Sequence, residues 1–410
     1  MMKIAVLGCG TVGSGVVDIL DKKPCLMEKS AGEEIGVKYI LDIRDFSGSP
    51  YASRIVNDID IIAEDPEIGV VVETMGGVEP AFTFCKKCLE KGKSVVSSNK
   101  ALVAAKAQEL FAAAKESNAS FMFEASVCGG IPVIRTMFSS LSANKILSFH
   151  GILNGTTNFI LTKMIDEKMS FDTALKIAQE KGYAEKDPTA DVDGIDAARK
   201  TAILSSIAYG HHFFEDEIHT EGIRGVTLED AAYADSYNCR IKLLGKADSR
   251  NNGKIGAIVC PFFVGNDSMI SGVNGVYNAI SITGDSIGDV LLYGQGAGKE
   301  ATASAVVGDV MECVRLKKNE KHYFWENHED GIVEDYLEYE TALYVRGYAK
   351  NPGDSLINIR EAFGGVKVLE RKGAPGNEIA FITPVMKEKE LREILSDLKD
   401  FASASVIRVL

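Results

Sequence analysis

KIAVLGCGTVG, residues 3–13, is the stretch that decides the fold. Ile4, Ala5, Val6 and Leu7 form an apolar run of strand length, and Gly8, Gly10 and Gly13 follow at once in G-x-G-x-x-G spacing. Val16, Val17 and Leu20 then recur at helical spacing. In that setting the first glycine permits a tight turn, the second lets a pyrophosphate approach the backbone, and the third lets the helix pack against the strand. Thr11 and Val12 open that helix, whose free N–H groups favour an anion. A tight glycine turn with no ligand is the plainer reading of three glycines. Position separates the two, because this motif stands first in the chain and between a strand and a helix.

Moving outward, residues 37–43 read as the next strand, with Asp42 and Arg44 near its end. An acid there serves an adenosine ribose and an arginine serves a 2′-phosphate, so NAD and NADP both remain open, with Arg44 leaning toward NADP. Residues 59–63, 69–73 and 94–97 read as further strands and 82–91 as a helix, which predicts a parallel, doubly wound sheet. Thr74 lies in a loop just past one strand end and Lys100 just past another, where such sheets bind ligands. A lysine opening a helix works against the helix dipole, which makes Lys100 worth singling out.

At 410 residues the chain is long enough for two or three domains. Hydrophobic residues at 46% and charged residues at 25% are ordinary for a globular protein. A net charge of −13 argues against a nucleic-acid binder. No apolar run approaches membrane length and the first residues lead directly into a strand pattern, so we expect a cytoplasmic protein without a membrane segment. The eight cysteines are scattered as reduced thiols would be, and Cys85 and Cys88 read as part of a helix rather than a metal pair.

Further along, residues 146–153 read as a strand followed by Asn154, Gly155, Thr156, Thr157 and Asn158, a turn rich in hydrogen-bonding groups. It suits a polar ligand or a helix start capped by Thr156 or Thr157. Residues 182–200, GYAEKDPTADVDGIDAARK, crowd Glu185, Asp187, Asp191, Asp193 and Asp196 ahead of Arg199 and Lys200. By composition this is an acidic loop or a site. Asp196 and Lys200 are four apart and share a helix face, as any surface ion pair would.

Taken together, the segments VVETMGG (71–77), SNKAL (98–102), FEASVCGGIP (123–132), GILNGTTNFIL (151–161), the 182–200 stretch and LYGQGAGKEATASAVVGDV (292–310) closely resemble the homoserine dehydrogenase family, in family order. Gln295 and Glu300 depart from it where prolines are expected. The resemblance implies interconversion of L-homoserine and L-aspartate 4-semialdehyde with NADP or NAD. It implies Lys200 as proton donor and acceptor with Lys100 as a second lysine of the site, and Glu185, Asp196, Asp191 and Thr157 as substrate-binding residues. Gly8, Gly10, Thr11, Val12, Gly13, Arg44, Thr74, Lys100, Gly182 and Gly298 would line the cofactor. Glu124, Val127, Gly129 and Ile131 would hold a Na+ or K+ ion, chiefly through backbone oxygens. The family also implies a homodimer or homotetramer.

Residues 317–335 read as a charged and aromatic linker or lid. Beyond them a strand-helix-strand-strand-helix-strand order is ferredoxin-like and resembles an ACT-type regulatory domain, with threonine as the expected effector and a purely dimerising role as the alternative. The expected fold is therefore α/β. It comprises a Rossmann-type nucleotide-binding domain at 1–136 completed by 297–316, an α+β catalytic and dimerisation domain at 137–296 with helices over 227–248 and a strand-rich 274–283, and an ACT-like domain at 336–410. An aspartate-type dehydrogenase of the same build and a non-catalytic nucleotide and amino-acid sensor are the competing readings. A phosphorylating semialdehyde dehydrogenase is disfavoured because no cysteine has a general base near it in sequence.

Overall fold

In the computed structural model, which describes residues 1–316 and 323–410, the chain divides into two compact units. The first comprises Met1–Lys145, Ala202–Phe214 and Leu292–Glu329, and the second the remaining described residues. The first is built on six strands: β1 (Met2–Leu7), β2 (Ile35–Leu41), β3 (Ile55–Val56), β4 (Ile68–Glu73), β5 (Ser94–Ser97) and β6 (Phe121–Met122). They pair in parallel in the order β3-β2-β1-β4-β5-β6. Ile4, Ala5, Val6 and Leu7 are fully buried, as a strand covered on both faces by helices must be, so its sequence is a continuous apolar run. The strand order reverses between β1 and β4, and a crevice at their carboxyl ends is the ligand position of such sheets.

Two of the expected elements are otherwise. Residues Ile59–Ala63 form a short helix because Asp58 caps it, accepting from the Asp60 N–H at 2.9 Å. The helix expected across 227–248 stops at Ser236, where Asn238 takes a left-handed conformation at φ 56°, and the chain continues as a strand. That strand is covered on both faces, which hides its period of two.

The second unit carries β7 (Ile146–Ile152), β8 (His219–Thr220), β9 (Cys239–Ser249), β10 (Ile255–Gly265), β11 (Tyr277–Gly284), the first half of β12 (Gly288–Gln295), whose residues from Leu292 on count with the first unit, β13 (Glu340–Ala349), β14 (Lys367–Leu369), β15 (Glu378–Ile382), β16 (Met386–Lys387) and β17 (Phe401–Val409). The sheet runs β12-β11-β7-β9-β10-β17-β13-β15-β14, with β8 paired to β10 and β16 to β13. Its last four strands, with helices Pro352–Ala362 and Glu388–Asp397, have the expected β-α-β-β-α-β order. They do not stand apart as a separate body, however, because β17 pairs in parallel with β10 at Phe262–Arg408 and Phe263–Val409.

Buried charge also joins the two segments. Arg346 donates to Asp230 at 2.8 Å, Tyr344 to Asp230 at 3.0 Å and Tyr233 to Glu378 at 2.8 Å. These are groups that only a fixed partner makes tolerable inside the protein.

The first six residues of the expected linker, 317–322, lie outside the described residues. Of the three aromatic residues just beyond them two are packed: Trp325 is buried edge-on against Phe111 at 4.8 Å and Tyr323 stacks on Phe138 at 4.3 Å, while Phe324 is exposed. Cys85 and Cys88 are fully buried in helix Ala81–Glu90, as expected, and burial pushes the Cys88 thiol up to about 12.

Candidate functional site

On the first unit, the residues after β1 and β4 form a groove of about 490 Å³ lined by Gly8, Gly10, Asp42, Arg44, Thr74 and Met75. Gly13 is needed for close approach. A Cβ there would fall 1.9 Å from the Gly8 carbonyl oxygen and 2.7 Å from the Thr74 hydroxyl. That hydroxyl donates to Gly8 O at 2.7 Å, and so ties the glycine loop to the end of β4. Around Gly10 the space is open, which leaves its backbone approachable by a phosphate, and helix Thr11–Lys22 begins immediately after it. Thr11 and Val12 thus stand at the helix N-terminus. The groove's shape and donors fit a dinucleotide.

Asp42 accepts the Cys9 N–H at 2.7 Å and takes the Arg44 guanidinium as a fork, at 2.9 and 2.6 Å. The hydrogen bonds from Arg44 outweigh partial burial and hold the Asp42 carboxyl well below the usual range. Arg44 itself is 57% exposed, so its outer edge faces solvent while the fork is held.

One organising residue was not anticipated. Glu73, fully buried at the end of β4, accepts from Met75 N at 2.8 Å and from the Ser97 hydroxyl at 2.6 Å, which fixes the loops after β4 and β5 together. Burial pushes its carboxyl up in spite of those bonds. Its only sequence signal is an acid ending an apolar strand. Lys100 is the first residue of helix Lys100–Glu116, whose cap is Asn99.

Glu124 is also committed locally. Its carboxylate oxygens accept the N–H groups of Ile134 and Arg135, both at 2.8 Å, and burial followed by the Asp309 charge pushes it up to about 7. Of the other residues expected around a cation, Ile131 gives its carbonyl to Val133 N–H at 2.8 Å, and Val127 is buried. Gly129 lies backbone to backbone with Gly296, where a Cβ would meet Gly296 O at 2.4 Å. No cluster of three His, Cys, Asp or Glu suited to a metal occurs among the described residues. Gly298, at φ 122° and exposed, leads into helix Lys299–Leu316.

On the second unit the acidic stretch folds around Asn154. Asn154 caps helix Gly155–Glu167 by accepting from Thr157 N at 2.8 Å, a role expected of Thr156 or Thr157. An asparagine side chain has donors left over, and its Nδ2 reaches Asp191 at 2.7 Å and Asp196 at 2.9 Å. Asp196 in turn meets Lys200 Nζ at 2.8 Å, and Lys200 donates also to Leu153 O at 2.8 Å. The Lys200 side chain is only 12% exposed, so this is not the solvated i,i+4 pair that spacing alone suggested.

Asp191, Asp196 and Lys200 are therefore brought together, and Asn154 is the member of the cluster that the sequence reading left unassigned. Thr157 is buried and donates its hydroxyl to Asn154 O at 3.0 Å, so it stiffens the cap. Glu185 is exposed on the turn after helix Phe171–Glu180, with its carbonyl accepting from Gln179 at 3.0 Å. Gly182 closes the same helix at φ 73°. Asp187 accepts the Thr189 N–H and Asp193 binds Arg224, so both shape the loop.

A nucleotide groove on a parallel sheet, joined in one chain to a cluster of one amine and two carboxylates, is what a dehydrogenase of a small amino-bearing alcohol needs. Comparison with known proteins identifies which. Residues 132–311 match the family profile described as homoserine dehydrogenase, and residues 8–124 match its NAD-binding domain. A homoserine dehydrogenase of Helicobacter pylori is 40% identical over 411 residues, spanning 98% of this chain and 96% of that one.

The chain belongs to the homoserine dehydrogenase family. A Bacillus subtilis homoserine dehydrogenase is 34% identical, over 97% of this chain and 95% of its own. Among solved structures, a homoserine dehydrogenase from Thiobacillus denitrificans superposes with a TM-score of 0.90 at 36% identity, over 100% of this chain and 98% of that one. The protein is thus an NAD(P)-dependent oxidoreductase that interconverts L-homoserine and L-aspartate 4-semialdehyde.

Proposed function

We propose that Lys200 carries the proton in homoserine oxidation and that Asp191 and Asp196 hold the substrate, with Asn154 fixing both carboxylates. The observation that carries this reading is the largely buried Lys200 amine at 2.8 Å from both Asp196 and the Leu153 carbonyl. Bound nicotinamide supplies the hydride acceptor. As the alcohol carbon loses hydride, the Lys200 amine takes the hydroxyl proton; in the reverse direction its ammonium returns that proton to the oxygen on which charge builds. The two carboxylates suit the substrate ammonium. Lys100 is the second lysine of this proposal, and Glu185 and Thr157 contribute to substrate binding. Replacing Lys200 by Ala is expected to lower kcat by about 10²–10⁴-fold. Homoserine oxidation persisting near the parent rate would overturn the assignment.

NADP is the preferred cofactor in this reading, with Arg44 reaching from its seat on Asp42 to a 2′-phosphate and Gly182 and Gly298 lining the dinucleotide. A hyperthermophilic archaeal homoserine dehydrogenase in complex with NADPH matches this chain with a TM-score of 0.64 at 31% identity, which supports it. The same proposal includes a Na+ or K+ ion on backbone oxygens at Glu124, Val127, Gly129 and Ile131. It also includes a cytoplasmic homodimer or homotetramer serving threonine and methionine synthesis.

Its functional parts are 1–136 with 297–316 for the nucleotide, 137–296 for substrate and assembly, and an ACT-like 336–410 that takes threonine. No described helix is long and apolar enough to cross a membrane. Initial rates with NAD and NADP, each with and without threonine, test the cofactor and effector assignments together.

A further inference from the structure

Residues 219–224 lie in the second unit between the acidic loop and the C-terminal strands, and each end is fastened. On one side the strap grips the loop that carries the carboxylates. Ile223 N–H donates to Val192 O at 2.8 Å, Arg224 pairs with Asp193 at 2.5 Å, and Gly222 comes so close that a Cβ would fall 2.2 Å from Val192 O and 2.5 Å from Asp193 Cα. Gly194 returns the contact, with its missing Cβ 2.9 Å from the Thr220 methyl. Val192, Asp193 and Gly194 are flanked by Asp191 and Asp196, so the backbone gripped here is the backbone that aims both carboxylates.

On the other side the strap is held by charge. Glu221 accepts from Arg408 at 3.0 Å and meets the His219 ring nitrogen at 2.7 Å, with Arg392 at 3.8 Å. Arg408 is buried and also bonds Glu388 twice at 2.7 Å, and His219 stacks on Tyr336 with ring centroids 3.6 Å apart. Burial raises the Glu221 carboxyl, but its bond to His219 and the Arg408 charge win, leaving it at about 2. The strap's own backbone is pinned where Glu221 N–H donates to Val259 O at 2.7 Å.

We propose that Glu221 is a positioning residue for homoserine: by anchoring the 219–224 strap to Arg408 of the last strand, it sets the 192–194 backbone and through it the placement of Asp191 and Asp196. This rests on the reading of Asp191, Asp196 and Lys200 as the substrate cluster. Displacing a binding group by about 1 Å costs up to about 10²-fold, so a change at the strap reaches the reaction without touching the substrate.

The test is steady-state kinetics of the full chain carrying Glu221→Gln or Gly222→Ala, with Lys200→Ala alongside. Glu221→Gln keeps the size of the side chain and leaves Arg408 its pair with Glu388, so the variant folds. Its expected signature is a homoserine KM raised about tenfold with the dinucleotide KM unchanged. Gly222→Ala pushes the strap off Val192 directly and gives the same split, more strongly. A purely structural contact would lower the melting temperature and the folded fraction while leaving the homoserine KM of the folded enzyme at the parent value. That result in Glu221→Gln overturns the proposal, whether or not Gly222→Ala folds. If Lys200→Ala keeps its activity, it is instead the reading of the substrate cluster that has failed.

Discussion

Arg44 shows how one side chain can be fully paired and still available. Its fork on Asp42 neutralises a carboxylate that would repel a 2′-phosphate, while more than half of the side chain remains in solvent. Its partner Asp42 has a side chain only 6% exposed, so Arg44 serves a 2′-phosphate by keeping its bond to that carboxylate while its solvent-facing edge takes the anion. Arg44→Ala should therefore cost about 10–100-fold in kcat/KM with NADP, the loss of a charge-assisted hydrogen bond worth about 1.5–3 kcal/mol, and leave NAD much less affected. Equal losses with both cofactors would remove Arg44 from the 2′-phosphate. The residues of the glycine loop and the position of Asp42 and Arg44 at a strand end were legible in sequence because local spacing defines them, while the choice between the two stayed open. Glu73 was not, because the partner that gives it its role, Ser97, lies at the end of another strand.

Among the elements, helix Gly155–Glu167 links local structure to chemistry through its first turn. Asn154 there caps the helix and cross-links Asp191 to Asp196, two tasks for the two ends of one amide. Removing it by Asn154→Ala should cost about 0.5–2 kcal/mol of stability for the cap. It should also raise the homoserine KM, since the freed carboxylates repel each other. Urea denaturation and substrate titration separate the two effects, and a stability loss with unchanged KM would leave Asn154 as a cap alone. The run Asn-Gly-Thr-Thr announced a helix start but not which residue caps it, since each of them has a side chain or backbone able to begin a helix. Cys239–Ser249 misled for a related reason: a strand buried on both faces has no alternation to read.

At the scale of the second unit, the C-terminal strands are held to its middle segment by buried charge as well as by the sheet. Asp230 is fully buried and receives Arg346, Tyr344 and the Thr227 capping box, while Glu378 receives Tyr233 and Arg371. Arg346→Met would strip Asp230 of its cation, and we expect a loss of about 3–5 kcal/mol. Calorimetry should then show a lowered transition, and a loss below about 1 kcal/mol would mean that the pair is relieved by solvent.

What the sequence determined by itself is what depends on near neighbours. This covers the strand-turn-helix around Gly8, Gly10 and Gly13, the parallel α/β alternation, the β-α-β-β-α-β order at the end, and the family. Tertiary structure alone decided that the last segment shares a sheet and a compact unit with the middle one. It also decided that Tyr323 and Trp325 are packed, and that Asn154 gathers Asp191 and Asp196, the second of which holds Lys200. Hydrogen bonds and burial between residues tens of positions apart leave no periodic trace in a sequence, and they are what turned an acidic stretch into an ordered cluster.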